Sequence, residues 1–167
     1  MTEKIYRNYL EIKSLGELKE VKKPSENYSV DLADPKDFQL NKFFYKKIGK
    51  SCQWVDRLVW TDLKWMEYIS NEKLSTYILM DKNEIAGYFE LLFNQKIKEA
   101  EIAYFGILEE YFGKKLGSYL LSESIKRSFA MGSLRVWVHT CSLDHKHALN
   151  NYLSRGMKIF KSETLIR

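Results

Sequence analysis

Residues 101–121, EIAYFGILEEYFGKKLGSYLL, decide how the rest of the chain is read. Phe105, Gly106, Ile107 and Leu108 form an apolar run suited to an interior strand. Gly113 and Gly117 then bracket Lys114 and Lys115, and Leu116, Leu120, Leu121 and Ile125 repeat at helical spacing. A strand, a glycine-containing loop and a helix in that order leave the first N–H groups of the helix unpaired. With the helix dipole behind them, those donors suit an anion such as a pyrophosphate. A glycine pair before a helix also serves ordinary tight turns, so the loop has to be read with its surroundings.

Downstream, RVWVHT (residues 135–140) is rich in β-branched and aromatic residues and reads as a strand. In the following CSLDHKHALNNYLSRGM, Ala148, Leu149, Tyr152 and Leu153 share one face of a short helix. Asp144 is placed to cap that helix, and Gly156 to end it before a strand beginning MKIF. The two segments, in this order and with a strand between them, resemble motifs A and B of the GNAT superfamily, the acyl-CoA-dependent N-acyltransferases. Motif A is Gln/Arg-x-x-Gly-x-Gly/Ala at the start of a long helix, and the matching window is FGKKLG, from Phe112 to Gly117. Gly117 matches outright, Phe112 stands in place of Gln or Arg, and Lys115 replaces the middle glycine. Motif B is Asn-x-x-Ala-x-x-x-Tyr-x-x-x-Gly-Phe. Ala148, Tyr152, Gly156 and Met157 hold its later positions, and His145 replaces the Asn. The likeness is carried by the C-terminal part of the chain and hardly at all by the N-terminal part.

The resemblance implies a single GNAT-type α/β domain over residues 1–167. Its mixed, mostly antiparallel central sheet would carry helices on both faces and splay at the acyl-CoA cleft. It also implies acetyl-CoA as cosubstrate, no metal, and direct transfer of acetyl, in a ternary complex, to a primary amine of a small molecule or protein. The other reading is a non-catalytic acyl-CoA-binding module or sensor whose pyrophosphate loop has drifted. Carried over from the family, the coenzyme-binding positions are Phe105, Ile107, Leu108, Phe112, Gly113, Lys114, Lys115, Leu116, Gly117 and Ser118, with His145 and Asn151 from motif B. Lys115 is strained there if its φ is positive, yet its charge suits a phosphate.

Acyl transfer from a thioester requires the amine to lose a proton, the oxyanion to find a donor, and the leaving thiolate to find an acid. Glu101 lies where the histone acetyltransferase branch of the family places its general base, and Tyr152 where motif B places its acid. A backbone N–H of the 105–107 stretch is the implied oxyanion donor. Glu90, on the preceding strand, is a second carboxylate able to reach the same cleft through a water. The acceptor side is expected around Trp54, Trp60 and Glu90, because indole and carboxylate together recognise a cationic amine. Core packing is the alternative use of the tryptophans.

Composition sets the scale. The chain has 167 residues, 45% hydrophobic and 14% aromatic, enough for a folded domain with a real core. No apolar run approaches the length of a bilayer span, and the charged start MTEKIYRNYL lacks a signal-peptide core. With Cys52 and Cys141 too few for a disulfide framework, a cytoplasmic location is expected, without membrane attachment. The net charge of +5 suits a polyanionic coenzyme. The lysines are scattered in pairs and form no stripe, so nucleic acid is not expected as a partner, and a monomer or homodimer is. His139, Cys141, Asp144, His145 and His147 crowd one segment, but His145 and His147 are two apart and point differently on a helix, so no metal site is read from them.

Further toward the N-terminus, residues 5–14 and Tyr28–Leu32 read as strands. A helix is expected from an Asp34 cap, with Pro35 in its first turn, to Ile48, where Gly49 stops it. Thr61 caps a second helix over Asp62–Ile69. Residues 74–80 and 85–93 form a hairpin around DKNE, and Glu99–Ile107 is the next strand.

Overall fold

The computed structural model describes residues 2–167. Seven strands make one sheet: β1 (Lys4–Ile12), β2 (Tyr28–Leu32), β3 (Leu74–Asp81), β4 (Glu84–Asn94), β5 (Glu99–Ile107), β6 (Arg135–Cys141) and β7 (Lys158–Ile166). Helices α1 (Phe38–Cys52), α2 (Asp62–Ile69), α3 (Leu116–Ala130) and α4 (Ala148–Ser154) connect them. The sheet order is β2-β3-β4-β5-β6-β1-β7, antiparallel everywhere except between β5 and β6.

Two adjacent residues of β4 show how the layers form. Successive side chains of a strand point to opposite faces. Tyr88 stacks on Phe44 of α1, with ring centroids 4.7 Å apart. Phe89 stacks on Tyr77 of β3 at 5.0 Å, and Tyr77 in turn lies 5.2 Å beneath the guanidinium of Arg127 on α3. The sheet therefore separates α1 from α3, and the core fills both sides. Phe44, Tyr88 and Trp65 occupy one side, and Leu116, Leu120 and Leu121 of α3 line the other. Gly106 lets α1 approach the sheet closely, since a Cβ there would stand 2.5 Å from Ile48 Cγ2.

The parallel pair β5–β6 is short. It runs only from Glu99↔Arg135 to Glu101↔Trp137. Beyond Glu101, β5 stays with β4, while β6 follows β1 through Val138↔Leu10 to Cys141↔Arg7. The sheet thus forks, as expected for an acyl-CoA cleft. The strand that holds β6 away comes from the N-terminal end of the chain and lies between β6 and β7. Nothing in its local sequence announces that position.

Three local expectations need correction. α1 starts at Phe38 and is capped by Asp37, whose Oδ1 accepts from the Leu40 N–H at 3.4 Å. Asp34 instead closes the preceding turn by accepting from the Lys36 N–H at 2.9 Å. Gly49 does not stop α1, which runs to Cys52 and ends on Gln53 in the left-handed region (φ 55°). Its role is packing, because a Cβ at Gly49 would lie 2.7 Å from the Trp54 side chain. Asp144 does not cap α4. Its carboxylate turns back to Thr140 Oγ1 at 2.5 Å and to the Cys141 N–H at 3.0 Å.

Candidate active site

The fork opens into a cleft of about 670 Å³. Its walls are the end of α1, the 105–107 stretch of β5, the loop into α3 and the segment containing α4. The backbone of β5 is available there. Leu108 N–H donates to Ala86 O at 2.8 Å, so every second N–H before it also points toward β4. By that alternation the N–H groups of Phe105 and Ile107 point into the fork, where β6 has moved away.

At the mouth of the cleft stands the N-terminus of α3. Lys115 is its N-cap residue and lies in the left-handed region at φ 63°, so the glycine-favouring conformation survives the replacement of the motif glycine. That conformation costs a lysine about 1 kcal/mol. The Lys115 side chain makes no cap bond, which leaves the first-turn N–H groups free for an anion. Gly117 has room beside it, the nearest atom to an added Cβ being Asn151 Nδ2 at 3.8 Å. Asn151 Nδ2 donates to the Gly117 carbonyl at 3.1 Å and ties α4 to α3. Phe112 packs its ring against His145, with centroids 5.2 Å apart, and the two rings form an apolar corner. Burial and the neighbouring His147 lower the His145 pKa.

Tyr152 lines the cleft, and burial, with the charge of Asp144 in second place, raises its hydroxyl pKa well above the usual phenol value. Its proton is held through neutral pH and is available to a departing anion. Glu101 is the last residue of β5 paired with β6, so it stands at the root of the fork, behind the cleft and not among the residues that line it. It is half-buried and its pKa is raised by desolvation, with Arg57 pulling weakly the other way.

The expected coenzyme positions do not all converge. Phe105, Ile107, Phe112, Gly113, Lys115, Leu116, Gly117, Ser118, His145 and Asn151 line the cleft. Leu108 turns into the core at 5% exposure, and its N–H still belongs to the β4 ladder. Lys114 reaches outward over the Tyr111 ring at 5.3 Å.

The acceptor-side residues separate. Trp54 lines the cleft and meets Tyr104 edge-on at 4.9 Å. On the other side of Tyr104 lies a second hollow of about 440 Å³, whose wall includes Trp60. Glu90 reaches neither space. It is fully buried, with Oε1 taking Tyr68 Oη at 2.5 Å and Arg57 Nη1 at 3.3 Å, and Oε2 taking Asn41 Nδ2 at 2.8 Å. With both oxygens held inside the core, Glu90 has no route to a substrate proton. The Arg57 guanidinium is sandwiched between Tyr68 and Tyr104, 4.1 and 4.0 Å from their centroids. Burial opposes its charge, but Glu90 and the surrounding phenols hold its pKa above the normal value. Burial also pushes the Tyr104 hydroxyl up to about 12.

Two features had no sequence signal. The Arg57–Glu90 network draws on α1, α2, β3 and β4, and no spacing links them. Arg155, which lines the cleft beside Tyr152, falls on a variable position of the motif. Cys52 and Cys141 have thiols raised by burial, which makes both poor nucleophiles. Among the described residues, no three His, Cys, Asp or Glu side chains converge as metal ligands.

The sequence profile of the acetyltransferase (GNAT) family matches residues 39–157. A GCN5-related N-acetyltransferase from Sphaerobacter thermophilus shares the fold with a TM-score of 0.73 at 15% identity, over 97% of this chain and 50% of its own. An aminoglycoside acetyltransferase from an uncultured soil metagenomic sample gives 0.65 at 12% identity, over 80% and 90%. An IAA acetyltransferase from Bacillus cereus gives 0.60 at 18% identity, over 80% and 79%. This chain therefore spans half the length of the Sphaerobacter protein, and at such identities the likeness concerns the fold. No curated protein matches the sequence.

Proposed function

The chain belongs to the GNAT family of acetyltransferases, and from that premise we propose that it moves an acetyl group from acetyl-CoA to a primary amine by direct attack in a ternary complex. The observation that carries this reading is the fork between β5 and β6. It combines free N–H groups at Phe105 and Ile107 with the uncapped start of α3 at one end and Tyr152 on the opposite wall. A long polyanionic thioester fits such a cleft. Backbone donors run along its middle, helix-terminal donors take its phosphates, and Lys115 and Lys146 add positive charge.

In this scheme Glu101 takes the proton from the incoming ammonium, directly or through a water. The amine nitrogen forms its bond to the carbonyl carbon while the N–H groups facing the fork receive the developing oxyanion. As the C–S bond breaks, Tyr152 gives its proton to the sulfur, and the second proton shed by the acylated nitrogen returns through water to restore the tyrosine hydroxyl. Glu101 suits the base because desolvation makes its carboxylate more basic than an exposed one. The acceptor would enter from the side of Trp54 and Tyr104, which separate the cleft from the second hollow.

Calorimetric titration with acetyl-CoA tests the reading. The expected result is saturable binding that Gly117→Glu abolishes. There is space for the new side chain at that position, so the substitution acts by placing a carboxylate against the phosphate donors. Turnover of an amine panel should then fall sharply, without vanishing, in Glu101→Gln while binding persists. Absence of acetyl-CoA binding by the unaltered protein would sink the proposal.

A further inference from the structure

We propose that Arg155 receives a phosphate group of the coenzyme, an inference that rests on the acyl-CoA reading above. Arg155 follows α4 and lines the cleft. Its Nη1 donates to Asn151 Oδ1 at 3.4 Å, and Asn151 Nδ2 donates to the Gly117 carbonyl at 3.1 Å. The guanidinium is thereby held beside the first turn of α3, where the helix donors are free. Its Nε is buried and has no hydrogen-bond partner.

The electrostatics point the same way. Among the described residues no counter-charge acts on Arg155, and burial lowers its pKa. The acid lining the cleft, Asp144, is turned toward Thr140 and Cys141. Arginine stays protonated at any physiological pH, so the molecule keeps a partly desolvated cation lining a cleft. Burying such a group is unfavourable unless something supplies an anion and an acceptor. A phosphate supplies both, and the planar guanidinium fork matches its geometry. Phe112, which stands where the motif has Gln or Arg, is spent on its contact with His145 and supplies no guanidinium. The cation comes from the end of α4 instead.

The test is calorimetry on the full chain with acetyl-CoA and with 3′-dephospho-acetyl-CoA, comparing the unaltered protein with Arg155→Met and Arg155→Lys. Methionine keeps an unbranched apolar stem and removes the charge. The expected result is acetyl-CoA binding weakened about tenfold or more by Arg155→Met, with Arg155→Lys in between. If Arg155 meets the 3′-phosphate, only the unaltered protein discriminates between the two ligands. If it meets the pyrophosphate, both ligands weaken equally in the variant. Either pattern supports the proposal. Thermal unfolding without ligand supplies an independent readout, and Arg155→Met should unfold at or above the temperature of the unaltered protein because an unbalanced charge has been removed. Unchanged affinity for both ligands would overturn the proposal, as would Arg155→Lys binding no better than Arg155→Met. If the unaltered protein bound neither ligand, the acyl-CoA reading itself would fail, a result distinguishable from the failure of Arg155 alone.

Discussion

Glu90 and Glu101 sit on neighbouring strands and carry the same carboxyl group, yet their surroundings divide their roles. Glu90 holds Arg57, Tyr68 and Asn41 in a closed network, whereas Glu101 has no ion pair among the described residues and a pKa raised by desolvation above the ordinary 4.5. A base is useful only when deprotonated, so kcat/KM should fall as pH drops through that raised pKa. The acidic limb should lie above the range of a free carboxylate and be missing in Glu101→Gln. Stability follows the opposite sign. A raised pKa in the folded state means that the native protein favours the protonated form, so this group's contribution declines as pH rises through the raised value. Glu101→Gln should therefore be the more heat-resistant protein at neutral pH. A pH–rate profile beside a pH series of melting curves checks both halves. The strand that carries Glu101 was legible in the sequence, because its apolar run precedes the glycine loop. The closure of Glu90 was not, because its partners come from two helices and the loop between them, distant in sequence.

Among the elements, α1 shows how far local rules reach. Its amphipathic run was readable, since Phe44, Tyr45 and Ile48 recur at helical spacing and are all buried. Its ends were not. Asp34 and Asp37 are both good caps, and only the geometry of the turn between them assigns the role. Gly49 reads as a stop but is a contact surface for Trp54. The short α4 itself was legible, but its cap was misjudged, because a carboxylate that suits a cap found stronger partners in Thr140 and Cys141. The contact between α1 and β5 is open to a direct test. In Gly106→Ala the new methyl meets Ile48 Cγ2 at 2.5 Å, and a β-branched side chain in a helix has little freedom to move aside. α1 must shift, at a cost of about 1–3 kcal/mol. Because α1 also forms a wall of the cleft, calorimetry should show weaker acetyl-CoA binding alongside a lower melting temperature. An unchanged melting temperature would mean that the helix yields freely.

For the whole molecule, strand order matters more than strand composition. The 28–32 and 74–107 strands, the helix after the glycine loop and the strand after it are legible in order, since each pairs near its sequence neighbours or follows the motifs. β1 is the exception. Its alternation is visible in Ile5, Leu10 and Ile12, but pattern alone does not say which edge it joins. It pairs with β6 and β7, so the two ends of the chain meet. Glu3 N–H donates to Arg167 O at 3.2 Å, and Arg167 N–H to Glu3 O at 3.0 Å. A circular permutant that joins Arg167 to Thr2 through a short turn and opens the chain between Lys22 and Lys23, both exposed, should keep the fold and the cleft. It should also refold faster, because the β7–β1 pairing becomes a local hairpin. Stopped-flow refolding of the two forms measures the difference, and equal rates would show that placing β1 is not the slow step.

In the natural order β1 leaves the ribosome before either of its flanks exists. Tyr6 must wait for Ser142, 136 residues later, to accept its N–H. Until β6 has emerged, the nascent chain therefore displays a strand bearing Ile5, Leu10 and Ile12 with no edge to join, and its apolar face stays open to unwanted pairing throughout that interval.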